Sequence, residues 1–249
     1  MKSTVVKTKV KGRKWNIKDT SQNNFVEDKT LVNDIVEKYK DNFPKVYGVP
    51  RSGSTLLRNI LNTIFDGNIK VQKHDYFKTD TKVICSYRDF RDSTISQWRI
   101  QKAGFDKEEN AKVATFGKIE ENARRIKSQV GTLKHFKERY PSNQIYFARY
   151  EDYHDNFDIL CDDLEKFLDI TIKDQLRKFL QRTWNKKRIK KVYSDNLEAF
   201  QGYDEQTEIH GQHIYKGKVG TWKELLQKDN HKMLNEFFQK ELLEWGYKI

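Results

Sequence analysis

Residues 45–64 constrain this chain more tightly than any other stretch. Val46 to Val49 is a short apolar run suited to a buried strand, and Pro50 to Gly53 is a tight loop. From Ser54 onward Leu56, Leu57, Ile60, Leu61 and Ile64 recur at helical spacing. A strand that turns through so short a loop into an amphipathic helix calls for an α/β layer structure, with the helix folded back over the sheet. Gly48 and Gly53 bracket the turn. Glycines there let backbone N–H groups point inward, and the helix aims the positive end of its dipole at the same place. The stretch reads as a cradle for a phosphate-like anion.

The spacing Gly48-x-x-x-x-Gly53-Ser54-Thr55 comes close to the nucleotide-binding pattern G-x-x-x-x-G-K-[ST], but Ser54 stands at the lysine position. That lysine reaches the β- and γ-phosphates of a nucleoside triphosphate, so its replacement disfavours ATP or GTP chemistry. The cation lies inside the loop instead, at Arg51. A second anion site follows the apolar run Lys82 to Tyr87, which reads as a central parallel strand. Behind it Arg88, Asp92 and Ser96 fall at intervals of four, bringing a guanidinium and a hydroxyl near one face, and Asp89 is placed to cap the helix. A third lies in His213 to Lys223, where Gly217 and Gly220 sit three apart in a cationic loop and let the backbone approach a phosphate.

These segments, in this order, resemble the sulfotransferases that use 3′-phosphoadenosine 5′-phosphosulfate (PAPS). Pro50-Arg51-Ser52-Gly53-Ser54-Thr55 is similar to that family's 5′-phosphosulfate loop, and Arg88 with Ser96 matches the pair that holds the 3′-phosphate, Asp92 lying between them. Arg149-Tyr150-Glu151-Asp152 resembles the step whose tyrosine lies near the adenine. Lys216, Gly217, Gly220, Trp222 and Lys223 match the C-terminal cofactor loop, although Tyr215 replaces its arginine and Thr221 its aspartate. The resemblance implies a P-loop-like three-layer fold: a central parallel sheet of four or five strands with helices on both faces. It implies that Arg51, the amides of Ser52 to Thr55, and the Ser54 and Thr55 hydroxyls grip the 5′-phosphosulfate. Arg88, Ser96 and Lys216 then hold the 3′-phosphate, with Gly217 a further cofactor-binding residue. The missing arginine leaves that clamp one cation short unless Lys218 or another residue supplies it.

Sulfuryl transfer needs in-line positioning, neutralisation of charge on the oxygens and a base for the acceptor proton. Family members place a histidine in a Lys-Thr-His loop at the stretch held here by Lys73-His74, with no residue between the two. Histidine titrates near neutrality, which suits a general base. His74 is the candidate base, Asp75 its substitute, and Lys73 a donor to the departing bridge oxygen. The resemblance implies PAPS as sulfuryl donor and no metal, and the acceptor, a small molecule or a carbohydrate, has no signature. His210 and His213 lack a third ligand at metal-site spacing.

At 249 residues one domain is expected over 1–249, with 1–40 an extension and 45–223 carrying the motifs. The net charge is +12, yet lysine and glutamate are mixed through most helical segments, so the charge reads mainly as solvated surface and nucleic acid is not an expected partner. Cys85 and Cys161, both in apolar settings, are expected to be buried and reduced. With no apolar leader or span, a cytoplasmic protein is expected. Two other functions stay open: a kinase of P-loop descent, and a non-catalytic binder of nucleic acid or acidic glycan that uses the positive charge.

Overall fold

Short apolar runs pair side by side in the computed structural model, which describes residues 26–69, 74–102, 114–194, 207–209 and 217–249. Strands β1 (Lys45–Gly48), β2 (Val83–Tyr87) and β3 (Ile145–Arg149) form a parallel sheet in that order. Gly48 lies opposite Ser86, and Tyr87 opposite Arg149, so the C-terminal ends of the strands share one edge. The described residues hold three strands where the resemblance implies four or five. Ile69 is not in a strand, and residues 70–73 lie outside the described residues.

In chain order the helices are α1 (Asn33–Tyr39), α2 (Ser54–Ile64), α3 (Phe90–Lys102), α4 (Phe116–Arg139), α5 (Tyr150–Tyr153), α6 (Asp158–Leu168), α7 (Asp174–Trp184), α8 (Lys186–Ser194), α9 (Thr221–Leu225) and α10 (His231–Glu244). Alternate strand residues face opposite ways, which sorts the core into two. Val46, Ile84 and Ala148 pack with Leu57, Ile60 and Ile64 of α2, Leu164 of α6 and Leu180 of α7. Tyr47, Cys85 and Val83 pack with Ile95 of α3, Ile126 and Leu133 of α4 and Phe238 of α10. The sheet is therefore the middle of three layers, as the resemblance implies.

Local chemistry sets the element ends that periodicity blurs. Asp28 accepts the Thr30 N–H at 3.1 Å and tightens Lys29–Leu31 into a 3-10 turn ahead of α1. α7 ends at Asn185, whose Oδ1 accepts the Arg188 N–H at 2.9 Å and caps α8. Cys85 and Cys161 are buried free thiols. No helix of the described residues is long and apolar enough to cross a membrane.

Candidate active site

The loop after β1 is held in a costly shape. Arg51 has φ +68° and Gly53 φ +80°, both left-handed, a conformation that non-glycine residues keep only where the surroundings enforce it. Gly53 caps the start of α2, and a Cβ there would lie 2.4 Å from the Tyr150 ring. Gly53→Ala therefore combines a backbone penalty with a clash. We expect a loss of about 1–3 kcal/mol, read by urea unfolding, together with weakened anion binding.

Ser52 is completely buried and works beneath the loop. Its Oγ donates to the Ser86 carbonyl at 3.0 Å, Ser86 Oγ donates to the Ser52 carbonyl at 2.7 Å, and the Ser52 N–H closes a turn on Val49 O at 3.1 Å. The sequence reading gives that amide to the anion; the turn takes it, so Ser52 is a latch between loop and β2. Gly53, Ser54 and Thr55 do line a cavity of about 200 Å³. The first N–H groups of α2 open toward it without intrahelical acceptors, as at any helix start.

Arg51, Arg88, Ser96, Tyr150 and Gly217 line the same cavity. Arg51 Nε donates to Ser96 Oγ at 3.2 Å. Arg88 is 6% exposed and lies over the Tyr150 ring, 4.9 Å from its centroid; one Nη donates to Asp92 at 3.1 Å and also to the Lys218 carbonyl, while its Nε is buried without a hydrogen-bond partner. Tyr150 donates from its hydroxyl to Gly217 O at 3.2 Å. Lys216 and Lys73 lie outside the described residues, as do His210 and His213.

Asp89 caps α3 as expected, accepting the Arg91 N–H at 2.9 Å. Asp92 does something the sequence does not announce. Fully buried, it accepts from Gly220 N at 2.7 Å, Thr221 Oγ1 at 2.9 Å and Trp222 N at 2.9 Å, so it caps α9 rather than serving its own helix. Thr221 fits here because its hydroxyl donates to Asp92; an aspartate in its place would set two carboxylates against each other. Glu151 ties three segments together, accepting Asp89 N at 2.9 Å and the Tyr247 hydroxyl at 3.0 Å, and its burial raises its carboxyl above the ordinary range.

His74 stands at the cradle with Nδ1 2.7 Å from the Gly48 carbonyl. A carbonyl only accepts, so Nδ1 donates in this bond. The residue is exposed.

Cations outnumber carboxylates in the cavity lining. Arg51, Arg88, Arg99, Lys186 and Lys218 line the cavity, against Glu208 alone among the carboxylates that line it in the described residues. Burial, then the Arg99 and Arg88 charges, push the Arg51 guanidinium down to about 9. Arg99, Lys186 and Glu208 were not singled out by the sequence. For Arg99 a signal exists, since it follows Ser96 by one turn of α3 on the same face. Lys186 and Glu208 come from segments whose approach only the tertiary fold specifies.

A phosphate-type cradle and a cationic cavity at the C-terminal edge of a three-layer parallel α/β fold define a P-loop-like anion-handling domain. The chain belongs to the sulfotransferase domain family, whose model matches residues 67–246. That match begins beyond the Gly48–Gly53 loop. Among solved structures the fold is similar to that of the mouse sulfotransferase SULT7A1, solved as a complex with PAP, with a TM-score of 0.59 at 14% identity over 86% of this chain and 90% of that one. No curated protein sequence matches.

Proposed function

We propose that the chain, acting as a single domain, transfers a sulfuryl group from PAPS to a hydroxyl or amine of a small-molecule or carbohydrate acceptor and releases adenosine 3′,5′-bisphosphate. The observation that carries this reading is the meeting of Arg51, Arg88 and Ser96 in one cavity at the start of α2. The donor set fits the molecule. Arg88 holds a buried Nε without a partner, glycine is required where a Cβ at position 53 would strike Tyr150, and Tyr150, Trp184 and Ile189 supply an apolar wall of the kind an adenine ring fills. The PAP complex of the mouse sulfotransferase agrees with this ligand class.

When bound, PAPS supplies the sulfuryl group. Arg51 and the amides of Gly53, Ser54 and Thr55 neutralise the 5′-phosphosulfate; Arg88, Ser96, Lys216 and Gly217 hold the 3′-phosphate; Tyr150 packs on the base. His74 Nε2 takes the acceptor proton, Asp75 being the substitute, and Lys73 donates toward the bridge oxygen. The kinase reading is weakened because Asp92, the buried carboxylate after β2, is already filled by donors from Arg88, Gly220, Thr221 and Trp222. The free buried thiols suit a reducing, cytoplasmic setting.

The test is thermal stabilisation by adenosine 3′,5′-bisphosphate beside 5′-AMP and magnesium–ATP. At a hundred times its Kd a ligand adds about 2.7 kcal/mol, and roughly 2–4 °C follows per kcal/mol in a chain of this size. The bisphosphate should give the largest shift; an equal or larger shift with magnesium–ATP would contradict the reading.

Arg51 adds a pH signature. Its folded value of about 9 lies well below the ordinary guanidinium range, so below pH 9 the empty fold bears the whole cost of a charged Arg51, a cost relieved as pH rises through that value. A bound anion offsets that cost by stabilising the charged form. Bisphosphate affinity should therefore fall as pH rises through about 9, with proton uptake on binding there, measurable by calorimetry in buffers of different ionisation enthalpy. Arg51→Met should raise the melting temperature of the empty protein at pH 7.5 by roughly 2–4 °C while abolishing the bisphosphate shift.

A further inference from the structure

The 3′-phosphate clamp, one cation short where Tyr215 stands in the C-terminal loop, has a candidate replacement on another element. We propose that Arg99 of α3 supplies that cation and holds the 3′-phosphate together with Arg88 and Ser96; this assignment rests on the function proposed above.

Asp92, Ser96 and Arg99 stand at i, i+4 and i+7 of α3 and so share one face. The roll of the helix is fixed on both sides. Phe90, Thr94 and Trp98 are buried on the opposite side, and Asp92 is bound to Gly220, Thr221 and Trp222. Ser96 and Arg99 consequently reach the cavity that Arg51 and Arg88 also line. Ser96 Oγ accepts from Arg51 Nε, which leaves its own hydroxyl hydrogen to donate. A phosphate monoester offers three acceptor oxygens, and two guanidinium forks with one hydroxyl match them. The Arg99 charge, second only to burial in lowering Arg51, shows that the two guanidiniums stand close enough to feel one another.

Lys218 is the competing source. It is exposed and sits on a loop, and what Arg88 holds is its carbonyl rather than its ammonium. Ordering a long lysine stem costs more than using a half-buried arginine on a fixed helix.

The experiment is calorimetric titration of adenosine 3′,5′-bisphosphate and 5′-AMP into the wild type, Arg99→Gln, Arg99→Lys and Lys218→Met. Arg99→Gln should lose about tenfold to a hundredfold in bisphosphate affinity while 5′-AMP binds as before. Arg99→Lys should regain part of the loss, and Lys218→Met should change the ratio of the two ligands less than Arg99→Gln does. Equal losses for both ligands, an intact bisphosphate affinity, or selectivity carried by Lys218 would overturn the assignment. A wild type that does not prefer the bisphosphate would overturn the proposed function, and the assignment with it.

Discussion

Replacing Arg88 by methionine is expected to weaken binding of adenosine 3′,5′-bisphosphate by roughly a hundredfold and leave 5′-AMP nearly unaffected. Hydrogen bonds to a charged group contribute about 1.5–3 kcal/mol each, and the buried Arg88 Nε has no protein partner to compensate for a missing phosphate. Methionine keeps an unbranched stem over the Tyr150 ring, so the packing that the guanidinium now makes at 4.9 Å is largely retained. The substitution also releases Asp92 and the Lys218 carbonyl. Arg88→Lys separates the two effects: it restores charge without the fork, and should recover stability more fully than bisphosphate affinity. Calorimetry with both nucleotides, beside a melting curve for each variant, reads the result. A parallel loss for both ligands would move Arg88 out of the 3′-phosphate site.

His74→Ala is expected to lower kcat by about a hundredfold to ten-thousandfold with bisphosphate affinity unchanged, because the imidazole touches the loop only through Nδ1 and the Gly48 carbonyl. Removing an exposed side chain with that single bond should scarcely alter folding. Single-turnover kinetics with saturating PAPS isolates the chemical step. Partial recovery with added imidazole would mark a lost base rather than a displaced loop. If Asp75→Asn produced the larger loss, the base would be Asp75.

Much of the cavity lining is legible in the sequence because it is local. Each motif spans one strand end, one turn and one helix start, and the residues that line the cavity lie within a few positions of one another: Gly53 to Thr55 on α2, then Arg88 and Ser96 around α3. The assignment of alternate strand residues to two faces follows from the same local rule, and Val46 and Tyr47 do enter different cores. What escapes is non-local. Asp92 is visible as an acidic residue in a first turn, but its true partners are Gly220, Thr221 and Trp222, more than a hundred positions away. The Ser52 amide looks available until the turn on Val49 is seen. Arg99 is the instructive omission, since its register with Ser96 could be read directly, whereas the contribution of Lys186 and Glu208 to the cavity depends on how α8 and residues 207–209 pack. The acceptor stays unread for the same reason: loop side chains that converge only in three dimensions leave no periodicity.

Sulfur-labelled PAPS would read sulfuryl transfer itself. The protein would be incubated with labelled PAPS and panels of phenols, aliphatic alcohols, amines and oligosaccharides, with labelled products and adenosine 3′,5′-bisphosphate quantified together. One class is expected to take up the label in step with bisphosphate release, with Arg88→Met lowering the rate at limiting PAPS and His74→Ala lowering it at saturation. Label that stays on PAPS with every panel, or transfer that proceeds at the wild-type rate in both variants, would contradict that expectation.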